Sequence, residues 1–168
     1  MNVSVMSAEE IVDRYLNMVY RLAYARTGNV PDAEDITQEV FLKLIRSGQE
    51  FNDEEHVKAW LIRVTVNQVR TNATTAYNRH RADFEEAENI SYETPNDLER
   101  QETQGEIRAA MKELPEKYST VLHLFYFDEL SVKQIAEALD TSEGTVKSQL
   151  SRGRAMLKTI LQEEFDYA

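Results

Sequence analysis

Apolar residues in this chain recur at spacings of three and four almost from end to end, and no sustained apolar–polar alternation interrupts them. That period puts the apolar residues of each segment on one face of an α-helix and leaves no strands from which to build a sheet. The expected fold is therefore all-α. A first helix starts after Ser7, an N-cap with Glu10 three residues on, as in a capping box. Its stripe is Ile11, Tyr15, Val19 and Leu22, and Gly28 stops it. A second helix has Pro31 in its first turn and the acids Asp32, Glu34 and Asp35 near its positive end. Ala33, Ile36, Val40 and Leu44 face inward and Gly48 ends it. Residues 49–55 read as a short acidic loop. A third helix runs from about Val57 to Arg70. Its residues Val57, Trp60, Leu61 and Val64 face a core, while Arg63, Asn67 and Arg70 share a polar face. Thr71-Asn72-Ala73-Thr74-Thr75 are mostly weak helix formers, so the helix is expected to weaken beyond Arg70.

The C-terminal part repeats the pattern in shorter pieces. Ile107, Ala110 and Met111 begin a helix that stops near Pro115. Tyr118, Val121, Leu122 and Phe125 mark the next, and Val132, Ile135, Ala136 and Leu139 a third. After the turn Asp140-Thr141-Ser142, Ser142 caps a longer helix with Val146, Leu150, Gly153 and Leu157 inward.

Charge divides the chain. The net charge is −11, which alone argues against a partner as negative as DNA. Residues 82–106, however, hold nine acidic side chains and one basic one, and so carry most of that excess. With Pro95 and no apolar stripe, this segment reads as an acidic flexible linker. It separates two small helical domains, 1–81 and 107–168. Two stretches contain no acid at all. Between Glu55 and Asp83 lie Lys58, Arg63, Arg70, Arg79 and Arg81, and between Glu143 and Glu163 lie Lys147, Arg152, Arg154 and Lys158. Such islands can meet phosphates locally, although overall affinity for DNA should be weak.

The absence of cysteine excludes disulfides and thiolate metal sites. His56, His80 and His123 are scattered, so neither a metal nor a cofactor is expected. Nothing in the chain resembles a Gly-rich phosphate loop, an HExxH motif or a nucleophile elbow, which argues against an enzyme. The N-terminal MNVSVMSAEE has no signal-peptide character, and no stretch approaches the ~18 apolar residues of a membrane span. A cytoplasmic protein without membrane insertion is expected.

Residues 131–158 have the pattern of a helix-turn-helix: a short helix with the small Ala136 facing its partner, a tight turn, then an amphipathic helix. The outer face of the second helix carries Thr145, Lys147, Ser148, Ser151, Arg152 and Arg154. Hydroxyls and cations bind phosphate, and Arg also reads guanine edges.

The segment Leu130–Leu139, with Thr141–Ser148 and Leu150–Arg154, resembles region 4 of bacterial extracytoplasmic-function (ECF) sigma factors, and Leu114–Tyr118 extends the likeness upstream. Asp32–Phe41 resembles the region 2 motif of the same family, and Ala59–Arg63 with Asn67 the helix after it. The order and spacing of the blocks match over nearly the whole chain.

The resemblance implies a sigma factor that binds core RNA polymerase and directs initiation at promoter DNA. It assigns polymerase docking to Asp35, Gln38 and Glu39. It assigns −10 recognition to Phe51, Arg63, Asn67 and Arg70, with the loop 49–56. It assigns −35 recognition to Thr145, Lys147, Ser148, Gln149, Ser151, Arg152 and Arg154. It also implies an anti-sigma factor as a partner. The chain departs from the family in three places. Thr71–Thr75 stand where an acid, a Leu and a run of Arg are usual, Gln149 stands where Arg is common, and Asp140 where Gly is common. Asp140 preserves the turn, because Asp adopts left-handed backbone more readily than most residues. Two alternatives compete: a stand-alone helix-turn-helix regulator that uses only the C-terminal domain, and a degenerate sigma-like adaptor with weakened promoter melting.

Overall fold

A computed structural model of the chain describes residues 6–80 and 98–166, and the side-chain surroundings of 6–73 and 105–162. The described residues form seven helices and no strand: α1 (Ala8–Thr27), α2 (Val30–Ser47), α3 (Glu54–His80), α4 (Leu98–Lys112), α5 (Glu116–Tyr126), α6 (Val132–Leu139) and α7 (Glu143–Asp166). They fall into two units, one built on α1–α3 and the other on α4, α5, α7 and the first part of α6.

The N-terminal unit is held by the predicted stripes. Ile11, Tyr15, Val19 and Leu22 of α1, with Ala23, pack with Ala33, Ile36, Val40 and Leu44 of α2. Phe41 and, from α3, Val57, Leu61, Ile62, Val66 and Val69 complete the core. Each of the larger side chains contributes about 1.5–3 kcal/mol by leaving water. Two hydroxyls are buried in this core with their hydrogen bonds satisfied locally. Thr37 donates to the Ala33 carbonyl at 2.7 Å and Thr65 to that of Leu61 at 2.6 Å. Burial pushes the Tyr15 phenol above its ordinary value of 10.0, and the nearby Arg14 pulls slightly the other way. A raised phenol value favours the neutral form in the folded state. Its stabilising contribution is therefore complete below 10.0 and is lost as pH rises beyond it. The N-terminal unit should therefore lose stability in that alkaline range, which urea midpoints measured at rising pH would show.

The ends of the helices are set by local chemistry. The Ser7 hydroxyl accepts from the Glu10 amide at 3.2 Å, as the capping motif predicts. Gly28 takes φ 75°, and its amide donates to the Tyr24 carbonyl at 2.8 Å, which closes α1. At α2, Asn29 accepts from the Asp32 amide at 2.8 Å and donates to its carboxylate at 2.7 Å.

α3 departs from expectation at both ends. It begins at Glu54, so the preceding loop is shorter than 49–56, because the Asp53 carboxylate caps the His56 amide at 2.8 Å. It also continues to His80, through the Thr-rich segment. A helix already nucleated and packed adds one hydrogen bond per further residue, which outweighs propensity penalties of a few tenths of a kcal/mol each. Thr71 donates to the Asn67 carbonyl at 3.1 Å, and Gln68 to the Asn72 side chain at 2.8 Å, each one turn apart along this stretch.

Residues 81–97 of the acidic segment lie outside the described residues. Residues 98–106, read as linker, are instead the start of α4. Leu98, Glu99, Arg100, Gln101 and Glu102 are good helix formers, and the lack of an apolar stripe hid them.

In the C-terminal unit Ala110, Met111, Leu114, Tyr118, Val121, Leu122, Leu124, Leu130, Ile135, Ala136, Val146 and Leu150 are buried. Phe125, expected in the core, is half-buried, as are Val132, Leu139 and Leu157, while Leu124 is fully enclosed. Ser131 and Gln134 form a reciprocal capping box at the start of α6, at 3.1 and 2.9 Å. α6 ends with Thr141 donating to the Ala136 carbonyl at 2.9 Å and Asp140 to that of Glu137 at 3.4 Å, which is a Schellman motif. Asp140 has φ 54°, as its place in the turn requires. Glu129, just before α6, has φ 55°. Non-glycine residues pay for left-handed backbone, Glu more than Asp. Glu129→Gly and Asp140→Gly should therefore each raise stability, by about 1 kcal/mol and somewhat less respectively. Urea midpoints at unchanged m-value would show it.

Candidate nucleic-acid interface

α7 carries the densest set of candidate residues. Ser142 anchors its start, accepting from the Thr145 amide at 3.1 Å and sharing a 2.8 Å hydrogen bond with the Thr145 hydroxyl. Val146, Leu150 and Gly153 turn inward, and at Gly153 the backbone lies against α5. A Cβ there would meet Leu122 Cδ1 at 3.0 Å and Tyr118 Cβ at 3.3 Å. This close seat fixes the rotation of α7. Thr145, Lys147, Ser148, Ser151, Arg152 and Arg154 are consequently exposed, and Gln149 is half-buried at the edge of the set. No acid follows Glu143 on α7 until Glu163, so the outer face presents hydroxyls and cations over about five helical turns. The N-terminal half of such a helix reaches base edges in a major groove, and its flanks reach phosphates.

On α3, Arg63, Asn67 and Arg70 are exposed on one side, while Leu61, Thr65, Val66, Gln68 and Val69 are buried. Phe51 is not a free loop side chain. It packs on the N-terminal core, edge-on to Trp60 at 5.8 Å and to His56 at 6.1 Å between ring centres. Trp60 is likewise half-buried at the margin of that core. Phe51 and Trp60 thus form an aromatic shelf next to the loop.

α2 presents Asp35 and Gln38 exposed and Glu39 half-buried. Leu42 and Ile45, 38% and 59% exposed, lie on the same side of the helix by the 100° step. They were not anticipated. The signal was available, since both fall off the inward stripe Ala33–Ile36–Val40–Leu44. A mixed polar and apolar exposed strip is what a protein-binding helix offers. Lys43, beside it, donates to the buried Gln68 of α3 at 2.5 Å, tying the two helices together. The described residues contain no cluster of His, Asp and Glu suited to a metal, and no described helix is long and apolar enough to cross a membrane.

A helical unit whose helix-turn-helix exposes a cationic face on α7 with no acid between Glu143 and Glu163, joined in one chain to a second helical unit with its own cationic face, defines a DNA-binding protein of the helix-turn-helix class. Two family patterns match the chain, Sigma-70 region 2 over residues 11–82 and Sigma-70 region 4 over residues 104–157. The ECF RNA polymerase sigma factor SigW of Bacillus subtilis is 32% identical, over 92% of this chain and 88% of its own length. SigE of Mycolicibacterium smegmatis, also an ECF sigma factor, is 33% identical over 92% of this chain and 62% of its own length. The chain belongs to the ECF sigma factors of the sigma-70 family, which bind core RNA polymerase and direct promoter-specific initiation of transcription.

Among solved structures, the sigma factor RpoE of Bartonella quintana, determined with the anti-sigma factor NepR, shares the fold. Its TM-score is 0.68 at 19% identity, over 92% of this chain and 96% of that one. CnrH, determined with the cytosolic domain of CnrY, likewise has a TM-score of 0.68, at 18% identity, over 93% of this chain and 88% of that one.

Proposed function

We propose that the three exposed faces divide the work of promoter recognition. α7 reads the −35 element, with Arg152 and Ser148 directed at bases and Lys147, Ser151 and Thr145 at the edges of the groove. Gln149, half-buried, borders the read positions. α3 engages the −10 element through Arg63, Asn67 and Arg70. The Phe51–Trp60 shelf stacks an unpaired base beside them, which recovers part of the energy spent in unstacking it. The strip Asp35, Gln38, Glu39, Leu42 and Ile45 of α2 docks on core polymerase. The N-terminal domain is residues 1–81, and the C-terminal domain begins with α4 at Leu98, ahead of the boundary at 107 expected from sequence, with the acidic residues between them as a tether.

The observation that carries this reading is the exposed, acid-free cationic face of α7 in a chain of net charge −11. Such a chain neutralises few phosphates by itself, so affinity comes from polymerase and specificity from two weak DNA contacts acting at high effective concentration. The protein acts by binding, not by catalysis, and works in the cytoplasm beside polymerase and nucleoid. An anti-sigma factor is its expected inhibitor, covering the same faces.

Transcription by reconstituted holoenzyme from a library of −35 sequences tests the reading. Arg152→Ala should relax preference at one position at a cost of about 1–3 kcal/mol. Lys147→Ala should weaken all sequences alike and reduce the salt slope by about one. An unchanged promoter profile for both variants would remove α7 as the reader.

A further inference from the structure

Arg154 differs from the other cations of α7 in what holds it. Its Nε–H donates to the Tyr126 hydroxyl. Its guanidinium lies 5.4 Å from the centre of the Tyr126 ring and 5.5 Å from that of Phe125. The two rings meet edge-to-face at 5.0 Å, so they form a corner at the end of α5 into which the guanidinium fits. Tyr126 is nonetheless 52% exposed, and Arg154 is exposed. An exposed Arg ordinarily samples many rotamers. A planar cation held over two aromatic faces and by one hydrogen bond is restricted before any ligand arrives.

The position of the pair also matters. Arg154 is eleven residues past the start of α7, about 16 Å along its axis. By the 100° step it sits roughly 120° round from Ser148, on the flank that faces α5. Base edges are reached mainly from the first turns of a recognition helix, and phosphates from its later turns and its flanks. With Nε engaged by Tyr126, the guanidinium keeps the four N–H groups on its Nη atoms.

The geometry points to Tyr126 as a positioning residue for Arg154: together they form a preorganised grip on one DNA backbone phosphate beside the −35 element, and Arg154 does not read a base. Arg154 supplies the charge and a forked pair of donors, and Tyr126 supplies their orientation. The inference rests on the reading of α7 as the −35 helix. Sequence alone hides it, because Tyr126 lies outside the helix-turn-helix and its partner is 28 residues away.

Binding of holoenzyme, made from core RNA polymerase and the full chain, to promoter duplexes over a range of salt concentrations tests it. Arg154→Ala should lower affinity about tenfold for every −35 sequence and reduce the salt slope by about one. Tyr126→Phe, which keeps the ring and removes the hydroxyl, should lower affinity about threefold and leave the slope unchanged. The double variant should bind like Arg154→Ala alone, since Tyr126 acts through the guanidinium. A threefold loss from Tyr126→Phe that persists in the Arg154→Ala background would overturn the positioning role, as would no loss at all. A change in −35 base preference in either variant would overturn the phosphate assignment. If Arg152→Ala and Lys147→Ala also leave binding unchanged, the reading of α7 itself has failed. If those two act and the Tyr126 and Arg154 variants do not, only the grip has.

Discussion

Replacing Asp128 by alanine should destabilise the C-terminal unit by about 1–3 kcal/mol, the usual cost of taking away the partner of a buried polar group. Asp128 Oδ2 lies 3.5 Å from His123 Nε2, and both side chains are 3% exposed. The pair spans the corner at which α5 ends. There Phe127 and Asp128 donate backbone hydrogen bonds to the His123 carbonyl at 2.9 and 3.3 Å, and the His123 ring stacks obliquely on Phe127 at 5.4 Å. This corner sets the approach to α6 and hence to the helix-turn-helix. For a unit of this size each kcal/mol shifts the melting midpoint by roughly 4–8 °C, so a fall of about 4 °C or more is expected. Hydrogen exchange should place the loss in α5–α7. A fall of only one or two degrees would mean that the pair contributes little.

Gly153→Leu should be comparably damaging, at about 3 kcal/mol, by a different route. A side chain at this position must displace Leu122, which is only 1% exposed, and Tyr118, at a place where even a Cβ meets neighbours at 3.0 and 3.3 Å. Overpacking of this kind costs about 1–3 kcal/mol and more where the surroundings cannot yield. Because the same seat fixes the rotation of α7, promoter binding should fall even at temperatures where the protein remains folded. Gly153→Ala separates the two influences on this position. Its gain in helix propensity, about 1 kcal/mol, opposes the contact, so its net effect on stability should be small. Urea unfolding of both variants, with −35-dependent transcription measured alongside, checks the pair. A fully active, stable leucine variant would mean that α7 can slide away from α5 freely.

The parts of the fold that could be read in the sequence are those in which one residue's chemistry is nearly sufficient. The inward stripes of α1 and α2, the Ser7 cap and the left-handed Asp140 follow from periodicity and backbone preference, without knowledge of neighbours. The exposed cationic face of α7 was legible for the same reason. What was missed depended on context. Thr71 and Asn72 look like helix breakers singly, but they extend a helix already anchored by Val66 and Val69. Leu98–Glu106 carries charge without a stripe, so it reads as linker although its residues favour helix. Gln68 and Thr65 are polar yet buried, because Lys43 and the Leu61 carbonyl give them partners. Phe51 was assigned to DNA alone, yet it also packs on the core. Tyr126 gave no sign of its link to Arg154, since contacts between distant positions leave no local pattern.

Glu129 and Asp140, the two side-chain-bearing residues held at positive φ on either side of α6, bear on how long the protein persists in a cell. Each lowers the free energy of unfolding in a unit of modest size, and a difference of 1–2 kcal/mol changes intracellular abundance several-fold through proteolysis of the transiently open form. Association with polymerase draws the population back to the closed form by mass action. Molecules without a partner should thus be degraded faster, so that the pool of active factor should follow the supply of binding sites. Glycine at both positions would lengthen the lifetime of the unbound molecule and blunt that coupling.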